Sequence, residues 1–257
     1  MNNAIDFGKT AQDYGKYRAG FPPAFFDRLA TYGPGAAGQR VLDLGTGTGT
    51  VARGLAQRGC WVVGLDPSAS LLAQAEQLDR QAGVRVRHIR AKAEHTGLAS
   101  GRFEVVTAGQ CWHWFDRPAA AQEVRRLLKP GGWLVIAHFD WIPLPGNVVE
   151  ATEQLILQHN PGWRGSGGNG LHPAWLRDVA VAGFENIETF SFDLPVSYTH
   201  IAWRGRIRAS AGVAASLPPE LVARFDADLA RLLSEHFPGD PLETLHRVFV
   251  VVCRSPV

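Results

Sequence analysis

Three kinds of residue in this chain of 257 residues stand where they can do chemistry. They are a cluster of glycines around an acid, a second acid after an apolar run, and histidines set among tryptophans. The glycines lie in Val41-Leu42-Asp43-Leu44-Gly45-Thr46-Gly47-Thr48-Gly49. A glycine after a buried strand lets the chain turn sharply and lets a ligand approach the backbone closely. Asp66 closes the next apolar run, where dinucleotide-binding folds place a carboxylate against ribose hydroxyls. The glycine spacing is G-x-G-x-G, and Thr50 stands where the G-x-G-x-x-G of a nicotinamide site needs its third glycine. No Gly-Lys-Ser/Thr follows, which excludes a phosphate loop. Asp43, inside the strand, adds a negative charge that does nothing for a pyrophosphate and suits a ligand with cationic groups.

His113 lies between Trp112 and Trp114, just past an apolar run, and His138 ends another before Phe139-Asp140-Trp141. An imidazole at either place can accept a proton from a reacting group or orient it. His113 and His138 are therefore the catalytic candidates, with a satisfied, partly buried histidine as the other reading of His138. Later in the chain His200, Arg204 and Arg208 recur at helical spacing beside Tyr198 and Trp203. Such a stripe either lines a pocket for an electron-rich or anionic acceptor or is a solvated basic face. Trp112, Trp141, His200, Trp203 and Arg204 are the substrate candidates. The three cysteines, Cys60, Cys111 and Cys253, show no ligand spacing, so no metal site is expected.

The elements that must hold these residues alternate. Short apolar runs at 41–44, 61–65, 84–89, 103–108 and 133–138 read as strands. Helical patterns at 50–58, 68–82 and 118–128 separate them, with Ser68 as an N-cap and Lys129-Pro130-Gly131-Gly132 as a terminator. This rhythm predicts a parallel sheet with helices on both faces and ligands outside the carboxyl ends of the strands. Further helices are predicted at 148–158, 173–182, 200–215 and 219–236, and two more strands at 187–192 and 248–253. The long connection between those strands should have a function of its own.

Composition narrows the class. Hydrophobic residues make up 46% and charged residues 19%, as in an ordinary folded globule. The net charge of +2, without a Lys/Arg run, gives nucleic acid nothing to bind by charge. No signal peptide and no apolar run of membrane-spanning length is visible, so a cytoplasmic protein without a membrane partner is expected.

At this point the sequence resembles the class I S-adenosylmethionine (SAM)-dependent methyltransferases, over residues 5–140. Asp43, Gly45, Gly47 and Gly49 match the first motif, E/D-x-G-x-G-x-G, and Gly64-Leu65-Asp66-Pro67-Ser68 is similar to the second. Ala93-Glu94 resembles the adenine-side segment. Gln110-Cys111-Trp112-His113-Trp114-Phe115-Asp116 resembles the Q-x-x-H-W-F-D signature of a small-molecule branch, methyltransferase type 11-like. Phe7 to Arg18 is similar to the F-x-x-x-A-x-x-Y-x-x-x-R arm that closes over the cofactor. The resemblance implies cofactor contacts from Tyr14 and Arg18 in that arm, and from Asp43, Gly45, Thr46 and Gly47 at the turn. It adds Asp66 and Pro67 after the second strand, then Ala93, Glu94 and Gln110.

The expected fold is α/β: three-layer, Rossmann-like and doubly wound, with a mostly parallel seven-stranded sheet, an antiparallel last strand and a helical lid. The resemblance supplies the count of seven. One methyltransferase domain is expected over 1–257, with its core at 36–144, 172–194 and 246–255. Lid or substrate segments are expected at 1–35, 145–171 and 195–245. The expected reaction moves the SAM methyl group, by in-line displacement, to an oxygen or nitrogen of a small planar, heterocyclic or anionic molecule. S-adenosylhomocysteine (SAH) is the product. An NAD-dependent oxidoreductase and a SAM-binding module without catalysis are the competing readings.

Overall fold

The computed structural model describes residues 16, 17 and 19–257. Helix α1 (Pro23–Ala30) leads into the alternation β1 (Arg40–Leu44), α2 (Thr50–Gln57), β2 (Trp61–Leu65), α3 (Ala69–Gln81) and β3 (Val86–Ile89). Then come β4 (Phe103–Gly109), a single 3₁₀ turn (Trp112–Trp114), α4 (Arg117–Leu127) and β5 (Leu128–Trp141). The remainder is α5 (Val148–His159), α6 (Ala174–Val181), β6 (Glu185–Tyr198), α7 (His200–Arg208), α8 (Pro219–His236) and β7 (Leu242–Arg254).

The strands form one sheet in the order β3-β2-β1-β4-β5-β7-β6, and its single antiparallel strand is the last, β7. β1 pairs in parallel with β2 and β4, so the order reverses between β1 and β4. Leu44 is level with Leu65 and Ala108, and Gly109 with Ala137. Gly45, Asp66, Gln110 and His138 therefore all emerge at one end of the sheet, the carboxyl end, where such sheets bind ligands. Val41–Leu44 and Val105–Ala108 are buried throughout, as expected for parallel strands covered on both faces.

The chain divides into two compact units. One comprises Gly20–Phe139, His172–Phe192 and Val248–Val257. Its core joins Leu42, Leu44, Val106, Ile136 and Val251 of the strands to Trp112, Val124 and Val179. Helix α1 lies in this unit, unlike the sequence expectation that placed it among the lid segments. Phe25 and Leu29 are fully buried, and Phe26 packs so tightly on Gly54 that a Cβ there would fall 2.1 Å from its ring. The other unit comprises Asp140–Leu171 and Asp193–Arg247, with Lys16, Tyr17 and Ala19 from the described part of its first segment. Its helices share a core of Val149, Ile156, Trp203, Ile207, Phe225, Leu229 and Leu233. On α8 the buried positions recur every fourth residue, the single apolar stripe of an amphipathic helix.

Several caps follow the sequence. Ser68 accepts from the Leu71 N–H, Asp116 from Ala119 and Thr199 from Ala202. Other boundaries differ. β5 begins at Leu128, five residues before the expected start, because the Lys129–Gly132 turn is taken into the strand as an irregularity opposite Phe103 and Val105. β6 and β7 are far longer than their apolar centres, since their outer residues alternate, half-buried with exposed in the later part of β6 and buried with more exposed ones at the start of β7. α7 stops at Arg208 and not near 215. Past it the chain forms turns, in which Gly212 lies against Ile156 and Trp163, where a Cβ would come within 2.8 Å of Ile156. Among the described residues, no helix is long and apolar enough to cross a membrane.

Candidate cofactor and active site

The turn after β1 is built on left-handed backbone at Gly45 (φ 57°), Gly47 (φ 54°) and Gly49 (φ 80°), which side chains rarely adopt. Gly45 has a second reason to lack a side chain: a Cβ would lie 2.8 Å from Cys111 and 3.1 Å from the Phe115 ring. Thr46 N–H donates to the Leu65 carbonyl (2.9 Å), tying the turn to the end of β2.

Two carboxylates anchor this turn. Asp43, 2% exposed, accepts from the Thr46 hydroxyl (2.7 Å) and the Thr107 hydroxyl (2.6 Å). Burial pushes its carboxyl up to about 6, against the pull of those hydroxyls and the Ala52 N–H; nearby Asp66 raises it further. Asp66 accepts from Gly47 N–H (3.0 Å) on one oxygen and from Ser68 N–H (2.8 Å) on the other. Burial raises its pKa too, opposed by those two N–H groups. Each carboxylate oxygen has two lone pairs, so Asp66 keeps capacity for a ligand's hydroxyls. Pro67, beside it, is exposed.

Beyond β4, Gln110 is a non-glycine residue at φ 61°, held by its N–H donating to the Ala137 carbonyl (2.8 Å). The backbone thereby swings into the 3₁₀ turn. Cys111 Sγ donates to the Leu44 carbonyl (3.1 Å), and Phe115 covers Gly45, so this segment packs on the glycine turn. Asp116 caps α4 and donates its N–H to Glu94 (2.9 Å), while Ala93 is buried. Trp112 is fully buried, its indole N–H donating to Asp178 (3.2 Å), which also pairs with Arg117 (3.0 Å). In this conformation Trp112 has no surface to offer a substrate, contrary to its sequence assignment, because the ring fills the core under the turn.

His113 is exposed, with its ring 4.6 Å from Trp114 and 5.2 Å from His138. His138 is 7% exposed. Also beside it are Trp175, 5.8 Å away, and His172, 4.5 Å away, whose ring stacks on Trp175 at 4.2 Å with 5° between planes. Phe249 flanks both His172 and Trp175. The two catalytic candidates are thus neighbours, joined in a row of three imidazoles. His172 was missed by sequence reasoning. It precedes Pro173 at a helix start, and nothing local marks it.

In the other unit Trp141 donates its indole N–H to Glu153 (2.8 Å) and carries the Arg206 guanidinium 4.6 Å above its ring. Trp203 is fully buried and donates to Thr152 (3.1 Å). The basic stripe is engaged within its own unit. Arg204 and Arg208 both pair with Asp226 on α8, and His200 Nε2 lies 3.0 Å from the Phe237 and Gly239 carbonyls. Trp203, His200 and Arg204 therefore hold α7 in place, and Trp203, fully buried, has no surface to offer an acceptor in this conformation, contrary to its sequence assignment. Tyr14 and Arg18 lie outside the described residues.

An open, mostly parallel sheet with a glycine turn at its switch point and an acid after the next strand defines a class of adenosine-cofactor proteins. Thr50 opens α2 where a nicotinamide site would need glycine. Residues 42–136 match the family model described as a methyltransferase domain. An uncharacterized methyltransferase of Mycobacterium tuberculosis is 36% identical over 152 residues, 57% of this chain and 59% of that protein. A ubiquinone biosynthesis O-methyltransferase of Pseudomonas aeruginosa is 35% identical over 129 residues, 49% of this chain and 56% of that protein. The chain thus spans little more than half the length of these curated relatives. The solved structure of a putative type II methyltransferase from Anaeromyxobacter dehalogenans matches with a TM-score of 0.65 at 23% identity, over 93% of this chain and 99% of that one. That of a Haemonchus contortus phosphoethanolamine N-methyltransferase, in complex with phosphomonomethylethanolamine and SAH, matches at 0.58 and 20% identity, over 100% of this chain and 62% of that one. At these identities the solved structures share the fold. Over residues 42–136, then, the chain is similar to methyltransferase domains.

Proposed function

We propose that this protein is a SAM-dependent methyltransferase acting on an oxygen or nitrogen of a small planar or anionic molecule, with SAH as second product. One observation carries the reading. The Asp66 carboxylate is fixed by Gly47 and Ser68 N–H groups beside the glycine turn, leaving lone pairs for ribose hydroxyls. Asp43, Gly45, Thr46 and Gly47 would cradle the cofactor from the turn, with Ala93, Glu94 and Gln110 completing its site. When bound, SAM supplies an electrophilic methyl on a sulfonium.

The chain's own residues align the acceptor and manage its proton. A hydroxyl or protonated nitrogen must lose that proton, and His113 or His138 accepts it at a ring nitrogen. Support for a planar acceptor comes from the exposed Trp114 beside His113, and for an oxygen acceptor from the relative named for O-methylation.

The test is SAH formation from SAM over a panel of small hydroxyl and amine acceptors. His113→Gln or His138→Gln should lower kcat about 100-fold, the contribution of one general base, with SAM affinity kept. SAM bound without turnover on any acceptor would favour a non-catalytic SAM-binding module.

A further inference from the structure

Behind the glycine turn lies a buried charge cluster that the proposed chemistry does not use. Asp79 is 4% exposed on α3, among the otherwise apolar buried positions Leu71, Leu72 and Ala75. A carboxylate held that far from water is costly unless it is paired. One oxygen meets Arg53 Nε of α2 at 3.0 Å, and the other meets His88 Nε2 of β3 at 2.8 Å. Arg53 then donates from Nη2 to the Thr48 carbonyl (2.7 Å), inside the turn itself.

The spacing beneath the turn is tight. A Cβ on Gly49 would lie 3.2 Å from Arg53 Nη2 and 3.7 Å from Asp79, and one on Gly64 would lie 3.0 Å from both His88 and Thr46. The peptide unit between Thr48 and Gly49 is held from both sides, its N–H on the Thr46 carbonyl (2.8 Å) and its C=O on Arg53. Because the peptide is planar, fixing both groups fixes its tilt, and this unit closes the turn whose Thr46 and Gly47 N–H groups are held by the Leu65 carbonyl and Asp66.

We infer that Asp79 is a positioning residue for the cofactor turn, acting through Arg53. His88 braces the second carboxylate oxygen so that Asp79 cannot rotate away from Arg53. This deepens the SAM reading and rests on it for the identity of the ligand. Loss of the Asp79 charge loosens the Arg53 guanidinium that donates to the Thr48 carbonyl and lets the turn sample other tilts.

The experiment compares wild type with Asp79→Asn, Arg53→Met, Arg53→Lys and a core control, Val124→Ala. SAH dissociation constants, steady-state SAM kinetics and hydrogen exchange of amides 46–50 are read together. Asp79→Asn and Arg53→Met should each weaken SAH binding about 10-fold or more, the scale of one charge-assisted hydrogen bond. KM for SAM should rise with kcat at saturating SAM preserved, and Arg53→Lys should recover part of the affinity. Val124→Ala should lower the melting temperature and leave SAH affinity alone. Wild-type SAH affinity in a folded Asp79→Asn would overturn the inference; if that variant does not fold, the Arg53 pair decides in the same way. If wild type binds neither SAM nor SAH, the SAM reading falls, and exchange still decides the positioning role. Amides 46–50 should open faster in the Asp79 and Arg53 variants than in the control, and equal opening would reject it.

Discussion

Asp43 and His246 show how burial sets opposite demands on two side chains. Burial raises the Asp43 carboxyl to about 6 from 3.8, so the folded chain holds that proton more tightly than the unfolded one. Its contribution is fully present below the unfolded value and is lost as pH rises through about 6, on the order of 3 kcal/mol. His246 is pushed down from 6.5 to about 4, chiefly by burial and also by Arg206, against the Thr244 carbonyl and Asp140. Its contribution is present above its unfolded value and is lost as pH falls toward 4. Relative to wild type, Asp43→Asn should therefore steepen the loss of stability between pH 6.5 and 4.5. His246→Gln should reduce it. Urea unfolding at the two pH values checks both, and parallel curves for all three proteins would contradict the assignments. At this scale the sequence was informative about the turn itself: its glycines adopt the left-handed backbone that glycine allows, with Asp43 and Asp66 hydrogen-bonded to it. His172, Asp79 and Arg53 could not be read from sequence spacing, because each acquires its role from a neighbour distant in sequence. Trp112 and Trp203 misled for the converse reason. An aromatic near a strand end looks available until packing is known.

Among the elements, the 110–116 segment is the most instructive. Its residues read as a signature for binding, yet most of them hold the 3₁₀ turn on the glycine turn and on α6. Cys111 and Phe115 cover Gly45, Asp116 caps α4, and Trp112 reaches Asp178. Asp178→Ala should leave both the buried indole N–H and Arg117 without this acceptor, costing about 1–3 kcal/mol in urea unfolding. Asp178→Asn, which keeps an acceptor, should cost less; equal loss in the two variants would show that the bond is not what matters. Helix α7 teaches the limit of periodicity. Spacing places His200, Arg204 and Arg208 on one face, but it does not say what lies opposite. Asp226 of α8 does. The strands β6 and β7 were found by their apolar centres and underestimated in length, since a half-exposed strand alternates and looks like loop at its ends.

For the whole molecule, the alternation of runs and helices announced the parallel sheet, and the register places the readable motifs at its carboxyl end. Leu44, Leu65, Ala108 and Ile136 stand level across four strands, so the turns after β1, β2 and β4 open at one height, beside His138 of β5. That convergence is the basis for assigning a single cofactor to them. Division of the chain into two units was less legible: α1 falls in the unit of β1–β4, with Phe25, Phe26 and Leu29 buried and Phe26 packed on Gly54 of α2, a preference that its sequence position before β1 does not reveal. The most direct test is equilibrium binding of SAM, SAH and NADH to wild type and Asp66→Ala. Wild type should bind SAM and SAH and not NADH, and Asp66→Ala should bind SAM about 10- to 100-fold more weakly, as the ribose hydroxyls lose a charged acceptor. NADH bound in preference to SAM, or unchanged SAM affinity in Asp66→Ala, would contradict the account.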